Sequence, residues 1–173
     1  MCEILAPAGD KNSALAAINS GADAIYLGLK QFSARSSAEN FDEEQLREII
    51  NYAALFGVKV HVAMNTLVKQ SEAESFIPAV KRAWELGADA IIMQDIFIGR
   101  AIHEMYPEIV LHLSTQAGVC NIYGAKLAKK FGFSRVILAR ETAFEDIRQI
   151  ASFMETEVFV QGALCTCFSG QCY

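Results

Sequence analysis

The chain has 173 residues, 53% of them hydrophobic and 20% charged, with 15 Lys and Arg against 20 Asp and Glu. This composition excludes a disordered chain, and the net charge of −5 argues against a strongly basic nucleic-acid-binding surface. The apolar runs have only the length of strands, no secretory signal opens the chain, and the five cysteines are an odd number. We therefore expect one well-cored domain in the cytoplasm, with reduced thiols and no membrane span.

Short β-branched segments alternate with amphipathic segments along the whole chain. The predicted strands are Glu3–Ala8, Ala24–Gly28, Lys59–Asn65, Ala90–Asp95, Val110–Thr115, Arg135–Arg140 and Glu157–Gly162. The predicted helices are Asp10–Ser20, Asp42–Phe56, Ser71–Leu86, Ile96–Met105, Ile122–Phe131 and Thr142–Phe153.

The predicted helix ends carry capping signals. Asp42 precedes an acidic first turn, and Ser71 with Glu74 three residues later resembles a capping box. Each of four glycines follows a predicted helix and is expected to adopt a left-handed conformation there: Gly21, Gly57, Gly87 and Gly132.

The strand–helix unit repeats at the level of sequence, since Gly21–Ile25 recurs as Gly87–Ile91. Several strands are apolar on both faces, as a parallel sheet covered by helices requires. A (β/α) barrel and an open doubly wound sheet both fit this alternation. The first turn, Pro7–Asp10, lacks the glycine fingerprint of a dinucleotide fold, so that the pattern favours an α/β, TIM-type (β/α) barrel.

Polar side chains follow five successive strands at their carboxyl ends, where a barrel builds its site. They are Asn65 and Thr66, Gln94 and Asp95, Ser114 to Gln116, Arg140 and Glu141, and Gln161. Strands often end in polar residues without any function, but five in succession favour a site. Arg140 with Glu141 is as consistent with a structural ion pair as with a substrate clamp.

Three cysteines, Cys165, Cys167 and Cys172, lie within eight residues directly after the last predicted strand. Closely spaced thiolates around a glycine-containing turn are typical of a soft metal or an iron–sulfur cluster. Three alternatives stay open from the residues alone: buried core cysteines, a Cys165–Cys172 disulfide, and a nucleophilic thiol. The last would need a histidine, and His61 and His112 are the two that lie on predicted strands.

The segment from Glu157 to Gly162, with Cys165, Gly170 and Cys172 after it, resembles the signature of peptidase family U-32, the collagenase-like protease family. Other segments match the family as well: Leu5–Gly9, Gly21–Gly28, His112–Gln116 and Leu138–Glu141. One departure is Gln161, where the family usually has histidine, and it weakens any histidine-based proteolytic role at that position.

The resemblance implies one of two activities. Some family members are described as collagenase-like proteases of unknown catalytic type. Others hydroxylate a tRNA uridine with prephenate, a ribosomal RNA cytidine or the ubiquinone ring, and hold a 4Fe-4S cluster through four cysteines. By position, Cys165 and Cys172 would be the first two ligands, with the other two beyond Tyr173 and Cys167 a neighbour only.

The chemistry of the residues separates these activities. No Gly-x-Ser-x-Gly or His-Glu-x-x-His motif is present, and Ser114 and Ser169 lack an evident histidine partner by spacing. The thiols and the polar strand ends instead favour cluster-dependent hydroxylation of tRNA or rRNA. The candidate catalytic residues are His112, Gln116, Arg140 and Glu141, and the candidate substrate-binding residues are Arg35, Asn65, Gln116 and Arg140.

Arg35 lies in a long connection with Lys30 and Phe32, which is either a contact for RNA phosphate and base or an ordinary surface loop. The acidic net charge means that RNA binding needs a basic surface outside residues 1–173. A third hypothesis is an inactive fragment that forms homo-oligomers through open barrel edges. About seven units of roughly 25 residues fit this length, whereas a barrel has eight, so we expect a single barrel domain, 1–173, truncated at its C-terminus and inactive alone.

Overall fold

The structure, a computed structural model, describes residues 2–34, 39–162 and 165–171. Its strands are β1 (Leu5–Ala8), β2 (Ala24–Gly28), β3 (Lys59–Met64), β4 (Ala90–Met93), β5 (Leu111–Leu113), β6 (Arg135–Ile137) and β7 (Glu155–Glu157). Its helices are α1 (Lys11–Asn19), α2 (Glu43–Leu55), α3 (Ala73–Glu85), α4 (Ile96–Met105), α5 (Ile122–Lys130) and α6 (Phe144–Ala151), and a 3₁₀ turn spans Thr115–Ala117.

The strands follow one another in the sheet in chain order, β1 to β7. The pairs β1–β2, β2–β3, β5–β6 and β6–β7 are parallel. Parallel neighbours joined by helices in unbroken chain order define the α/β, TIM-type (β/α) class that the alternation predicted. No helix within the described residues has the length and apolar character needed to cross a membrane.

Two compact units divide the chain, Met1–Ile92 and Met93–Tyr173. In the first, the core contains most residues of β2 and β3 together with helix residues such as Ile18, Leu46 and Phe76. In the second, Leu111, Val136 and Ile150 belong to the core, and Phe133 lies so close to α4 that a Cβ at Gly99 would be 2.3 Å from its ring. The prediction of one truncated barrel domain, 1–173, stays a prediction.

The helix ends are partly as expected. Asp42 caps α2 by accepting the Gln45 N–H, and all four glycines that were expected to be left-handed have φ between +68° and +106°. The capping box at Ser71 is wrong, because α3 begins two residues later, after Glu72, whose side chain accepts the Lys69 N–H instead. The Glu72 carboxylate accepts a hydrogen bond from the turn that precedes the helix, and α3 begins without a side-chain cap.

The seventh strand was predicted at Glu157–Gly162, whereas β7 spans Glu155–Glu157. The prediction therefore began two residues too late and was too long. Glu155 and Glu157 pair with β6, and both carboxylates bind the buried guanidinium of Arg135, at 2.6 and 3.2 Å. This ion-pair ladder holds the acidic segment in the sheet. The apolar run that suggested a strand, Val158–Val160, is exposed after it, and Val160 is 94% exposed.

Candidate active site

The carboxyl ends of β4 and β5 are joined by backbone and amide hydrogen bonds. The Ser114 N–H donates to the Met93 carbonyl at 2.7 Å, and the Gln116 N–H donates to the Ser114 hydroxyl at 3.2 Å. Gln94 Nε2 donates to the Gln116 carbonyl at 3.2 Å. The polar residue Gln94 after β4 is therefore hydrogen-bonded to the turn that follows β5.

The end of β6 is fixed to the same turn. The Thr115 hydroxyl donates to the Leu138 carbonyl at 3.1 Å, and the Ala139 N–H donates to the Val119 carbonyl at 2.9 Å. Leu138 and Ala139 are buried, whereas Arg140 and Glu141 immediately after them are exposed. The chain thus presents a guanidinium and a carboxylate side by side at the carboxyl end of β6.

Residues 165–171, here called the cysteine loop, are held by these two side chains. The Ser169 hydroxyl accepts hydrogen bonds from the Arg140 N–H at 3.1 Å and from Arg140 Nε at 3.2 Å. The Ser169 N–H donates to Glu141 Oε1 at 2.6 Å, and Arg140 Nη2 donates to the Cys167 carbonyl at 2.9 Å. Arg140 and Glu141 therefore both bind the loop. The hydrogen bonds described here join each of them to the loop, whereas the sequence had suggested either a structural ion pair between them or a substrate clamp.

Gly170 allows the cysteine loop to approach the β5 turn. Its φ is +79°, and a Cβ at this position would lie 2.2 Å from the Gln116 carbonyl oxygen. Only glycine fits such a close approach of two backbones in this conformation. Ser169 is consequently buried even though Cys165 and Phe168 in the same loop are exposed.

The Cys165 thiol is free, exposed and held in a polar environment. Its pKa is lowered first by the Cys167 backbone N–H, which donates to the sulfur, and then by the hydrogen bond and charge of Arg140. A lowered pKa favours the thiolate, which is the form that binds metals and acts as a nucleophile. Cys172, the other cysteine of the predicted disulfide alternative, lies outside the described residues, so that alternative stays open.

Glu141 is ionised in this arrangement. Burial acts to raise the pKa of its carboxyl, but the backbone N–H groups of Glu141 and Ser169 donate to it and outweigh that effect, so the pKa is lowered overall. The carboxylate is thus an acceptor for the loop backbone at neutral pH.

The other predicted site residues are less closely grouped. His112 is buried in β5 opposite Arg135, toward the amino end of β6, and Gln116 contributes its backbone carbonyl to the contacts described above. Asn65 belongs to the first unit, where its Oδ1 accepts the Ala34 N–H at 3.1 Å. Arg35 and Cys172 lie outside the described residues. The roles assigned to all of them stay predictions.

The connection after β2 is engaged in structural contacts where it is described. Lys30 pairs with Asp42 at 2.9 Å, and the Phe32 ring packs edge-on against Phe76 with centroids 5.0 Å apart. For Lys30 and Phe32, these contacts favour the interpretation as an ordinary surface loop over that as an RNA-binding segment.

Sequence reasoning missed the parts of the site that depend on tertiary contacts. Ser169 was considered only as a nucleophile, and Gly170 only as part of a turn and of the family signature, yet both anchor the cysteine loop. The Ser-Gly pair between the last two cysteines was the available signal, since a serine and a left-handed glycine together often mark a tight anchored turn.

A metal site is not assembled by the described residues alone. Within 2–34, 39–162 and 165–171, no three His, Cys, Asp or Glu side chains are close enough to hold an ion. Cys165 is one thiol whose lowered pKa favours the thiolate that binds metals, and the second candidate, Cys172, lies outside the described residues.

The chain is similar to curated proteins over nearly its whole length. It is 38% identical to the tRNA hydroxylation protein P of Escherichia coli, covering 98% of this chain and 38% of that protein. It is 38% identical to the 23S rRNA 5-hydroxycytidine C2501 synthase of the same organism, covering 99% and 26%. It is also 31% identical to a collagenase of Porphyromonas gingivalis, covering 99% and 44%. The chain therefore spans less than half the length of these relatives.

A solved structure of a U32 peptidase shares the fold, with a TM-score of 0.70 and 13% identity over 91% of this chain and 67% of the other. The 3-keto-L-gulonate-6-phosphate decarboxylase of Vibrio cholerae also shares it, with a TM-score of 0.63 and 16% identity over 90% and 77%. At these identities the likeness concerns the fold alone. The model of peptidase family U32 matches residues 9–173, and the chain belongs to that family.

Proposed function

We propose that this chain is the N-terminal portion of an iron–sulfur-dependent hydroxylation enzyme that modifies tRNA or rRNA in the cytoplasm. The observation that carries the proposal is the exposed Cys165 thiol, whose pKa is lowered and whose loop is anchored at the carboxyl ends of the strands. Relatives named for tRNA and rRNA hydroxylation, both 38% identical, support the choice of reaction.

The residues present fit one part of a 4Fe-4S site. Cys165 offers a thiolate, and Cys172, seven residues later, is proposed as the second ligand. The remaining two ligands that the family resemblance implies are proposed to lie outside these 173 residues. When bound, such a cluster supplies one-electron redox chemistry.

The side chains of this chain have binding and orienting roles in the proposal. Arg140 and Glu141 hold the loop that carries Cys165, and Gln116 lies against the same loop through its backbone. His112, Gln116, Arg140 and Glu141 remain the catalytic candidates, and Arg35, Asn65, Gln116 and Arg140 the candidates for substrate binding. Prephenate is proposed as the co-substrate on the family resemblance alone.

One surface of this chain supports an RNA partner despite the acidic net charge, whereas the sequence predicted that the basic surface lies outside residues 1–173. α5 has three lysines and no acidic residue, and its exposed face carries Tyr123, Lys126, Leu127 and Lys130. Lys126 lies 5.7 Å from the centre of the Tyr123 ring. A lysine-rich face with an exposed aromatic ring suits phosphate contacts and base stacking.

A collagenase-like protease is the second candidate, because one relative is named a collagenase. The geometry of Ser169 disfavours it as a nucleophile, since the hydroxyl oxygen accepts two hydrogen bonds from Arg140 and has no lone pair left for attack. Ser114 is buried, with its hydroxyl accepting the Gln116 N–H. Gelatin cleavage that survives Ser114→Ala, Ser169→Ala and Cys165→Ser would exclude these nucleophiles.

An inactive fragment that associates through sheet edges is the third candidate. β7 is the last strand of the sheet, and the apolar run Val158–Val160 beside it is exposed. Self-association through such an edge would remove this apolar surface from water. A monomer in size-exclusion chromatography would count against it.

Mass spectrometry of nucleosides tests the proposed function. A strain that lacks the gene should lose one nucleoside of tRNA or rRNA that is heavier than its parent by a single oxygen. The wild-type gene should restore it, and the Cys165→Ser variant should not. An RNA modification profile that is unchanged by deletion would overturn the proposal.

A further inference from the structure

Ser169 is the point at which the cysteine loop is fixed to the sheet. It contributes its hydroxyl to Arg140 and its N–H to Glu141, so that one residue is held from both sides by a charged pair. Arg140 reaches further along the loop to the Cys167 carbonyl and the Cys165 sulfur. We call Arg140, Glu141 and Ser169 the Ser169 clamp.

The clamp uses the side chains whose other proposed role is substrate binding. Of the Arg140 guanidinium, Nε and Nη2 donate to the loop, and the side chain also donates to Cys165. Glu141 Oε1 accepts the Ser169 N–H at 2.6 Å, and because the acceptor is a carboxylate this hydrogen bond is charge-assisted. Both side chains are thus directed at the loop.

Among the described residues, few other contacts hold the loop in place. Cys165, Thr166, Phe168 and Gln171 are exposed, and within the loop the Gln171 N–H donates to the Phe168 carbonyl at 3.0 Å. An exposed segment without buried apolar contacts is mobile unless hydrogen bonds order it. Ordering the loop in advance lowers the entropic cost of bringing the Cys165 thiol into its ligand geometry.

We propose that the Ser169 clamp is a positioning device, which holds the cysteine loop ordered before the cluster binds and slows loss of the cluster afterwards. In this assignment Arg140 and Glu141 are positioning residues that act through Ser169 and the loop. The inference rests on the proposed function for the identity of the bound group, but the order of the loop without iron is a property of this chain alone.

The experiment compares Ser169→Ala, Glu141→Ala and Glu141→Gln in the full-length protein. Ser152→Ala is the matched control, because its hydroxyl donates to the Gln149 carbonyl in the same unit but outside the clamp. Hydrogen exchange is measured on the iron-free protein. The rate of iron loss to a chelator is measured spectroscopically on the anaerobically reconstituted protein.

The most informative measurement is the exchange rate of the Arg140 N–H in a variant that changes only Glu141. In Glu141→Ala the Arg140 N–H keeps its own acceptor, the Ser169 hydroxyl, yet it should exchange about tenfold faster, because a charge-assisted bond elsewhere in the clamp is lost. Glu141→Gln retains an acceptor oxygen and should recover part of the protection. Both alanine variants should lose iron several times faster than wild type, and Ser152→Ala should match wild type.

The possible outcomes separate this inference from the proposed function. Exchange at Arg140 that is unchanged in Glu141→Ala would overturn the clamp. Faster exchange with an unchanged rate of iron loss would overturn its role toward the cluster. A wild-type protein that takes up no iron would overturn the proposed function and the cluster role together, while the exchange data would still decide whether the clamp orders the loop.

Discussion

Replacing Gly170 by alanine should release the cysteine loop from the sheet. The new Cβ would lie 2.2 Å from the Gln116 carbonyl oxygen, more than 1 Å inside ordinary contact, and the neighbouring atom is backbone that cannot rotate away. A side chain at φ +79° adds about 1 to 2 kcal/mol of strain. Moving the loop to relieve the clash would break hydrogen bonds to Ser169, each worth about 0.5 to 3 kcal/mol.

The strain together with the loss of one such hydrogen bond amounts to roughly 1.5 to 5 kcal/mol against the docked loop. The Arg140 N–H, which donates to the Ser169 hydroxyl, should therefore exchange with solvent at least tenfold faster in Gly170→Ala. Thermal unfolding should change by no more than a few degrees, because the loop lies outside the core.

Two glycines provide controls that separate the strain of a positive φ from the steric clash of the new Cβ. Gly118 also has a positive φ, +68°, but a Cβ there would meet its nearest neighbour, the Ser169 carbonyl oxygen, at 3.7 Å. Gly162 has no atom of the described part of the chain within 4 Å of its added Cβ. Equal exchange rates at Arg140 in Gly170→Ala and Gly118→Ala would refute the reasoning, because the close approach of the two backbones would then have no effect.

Three further predictions concern the thiol, the basic helix and the sheet edge. Arg140→Ala should raise the pKa of the Cys165 thiol toward its ordinary value, so that alkylation by iodoacetamide near neutral pH becomes slower and its pH profile moves to higher pH. The double change Lys126→Glu and Lys130→Glu should weaken tRNA binding in a filter or gel assay about tenfold or more at low salt. Val160→Lys should leave thermal unfolding within about 0.5 kcal/mol of wild type and abolish any self-association seen by size-exclusion chromatography.

Each of these predictions has a matched control. Arg148→Ala removes an exposed arginine from α6 and should not change Cys165 alkylation. Lys69→Glu with Lys81→Glu makes the same change of charge in the first unit, and equal weakening of tRNA binding by this pair would contradict a role for α5. Leu55→Lys adds a charge at an exposed apolar residue of α2, and its effect on association should be smaller than that of Val160→Lys.

The sign of the alkylation prediction follows from the direction of the pKa shift. A thiol whose pKa is lowered is more ionised at any pH below its ordinary value, and the thiolate is the form that reacts. The Cys167 N–H is the larger cause and stays in place in Arg140→Ala, so the pKa should rise only part of the way. A profile that is identical in wild type and Arg140→Ala would show that the guanidinium does not stabilise the thiolate.

Hydrophobic pattern was sufficient to predict most of the fold. β2 was predicted with the bounds that the structure has, and the β1, β3 and β4 segments differ by one or two residues at one end. Most residues of β2, β3 and β4 are buried, so that their apolar runs and their hydrogen-bonded runs nearly coincide. β7 was misplaced because Glu155 and Glu157 join the sheet through Arg135, and an ion pair between neighbouring strands leaves no trace in the local apolar pattern.

The site was predicted in part for a similar reason. Cys165, Arg140 and Glu141 were identified because their chemical type and their place after a strand are local properties of the sequence. The clamp joins residues that are 28 or 29 positions apart, and the docking of Gly170 on Gln116 joins two loops. Such contacts depend on where the strands end in the sheet, which neither composition nor spacing specifies.

The most direct test of the proposed cluster chemistry is the visible absorption and iron content of the full-length protein purified without oxygen. Wild type should be brown, with about four iron atoms per chain, as one 4Fe-4S cluster requires. Cys165→Ser should lose most of this iron while retaining its thermal unfolding transition. A colourless wild-type protein without iron, or a Cys165→Ser variant with full iron content, would contradict the account.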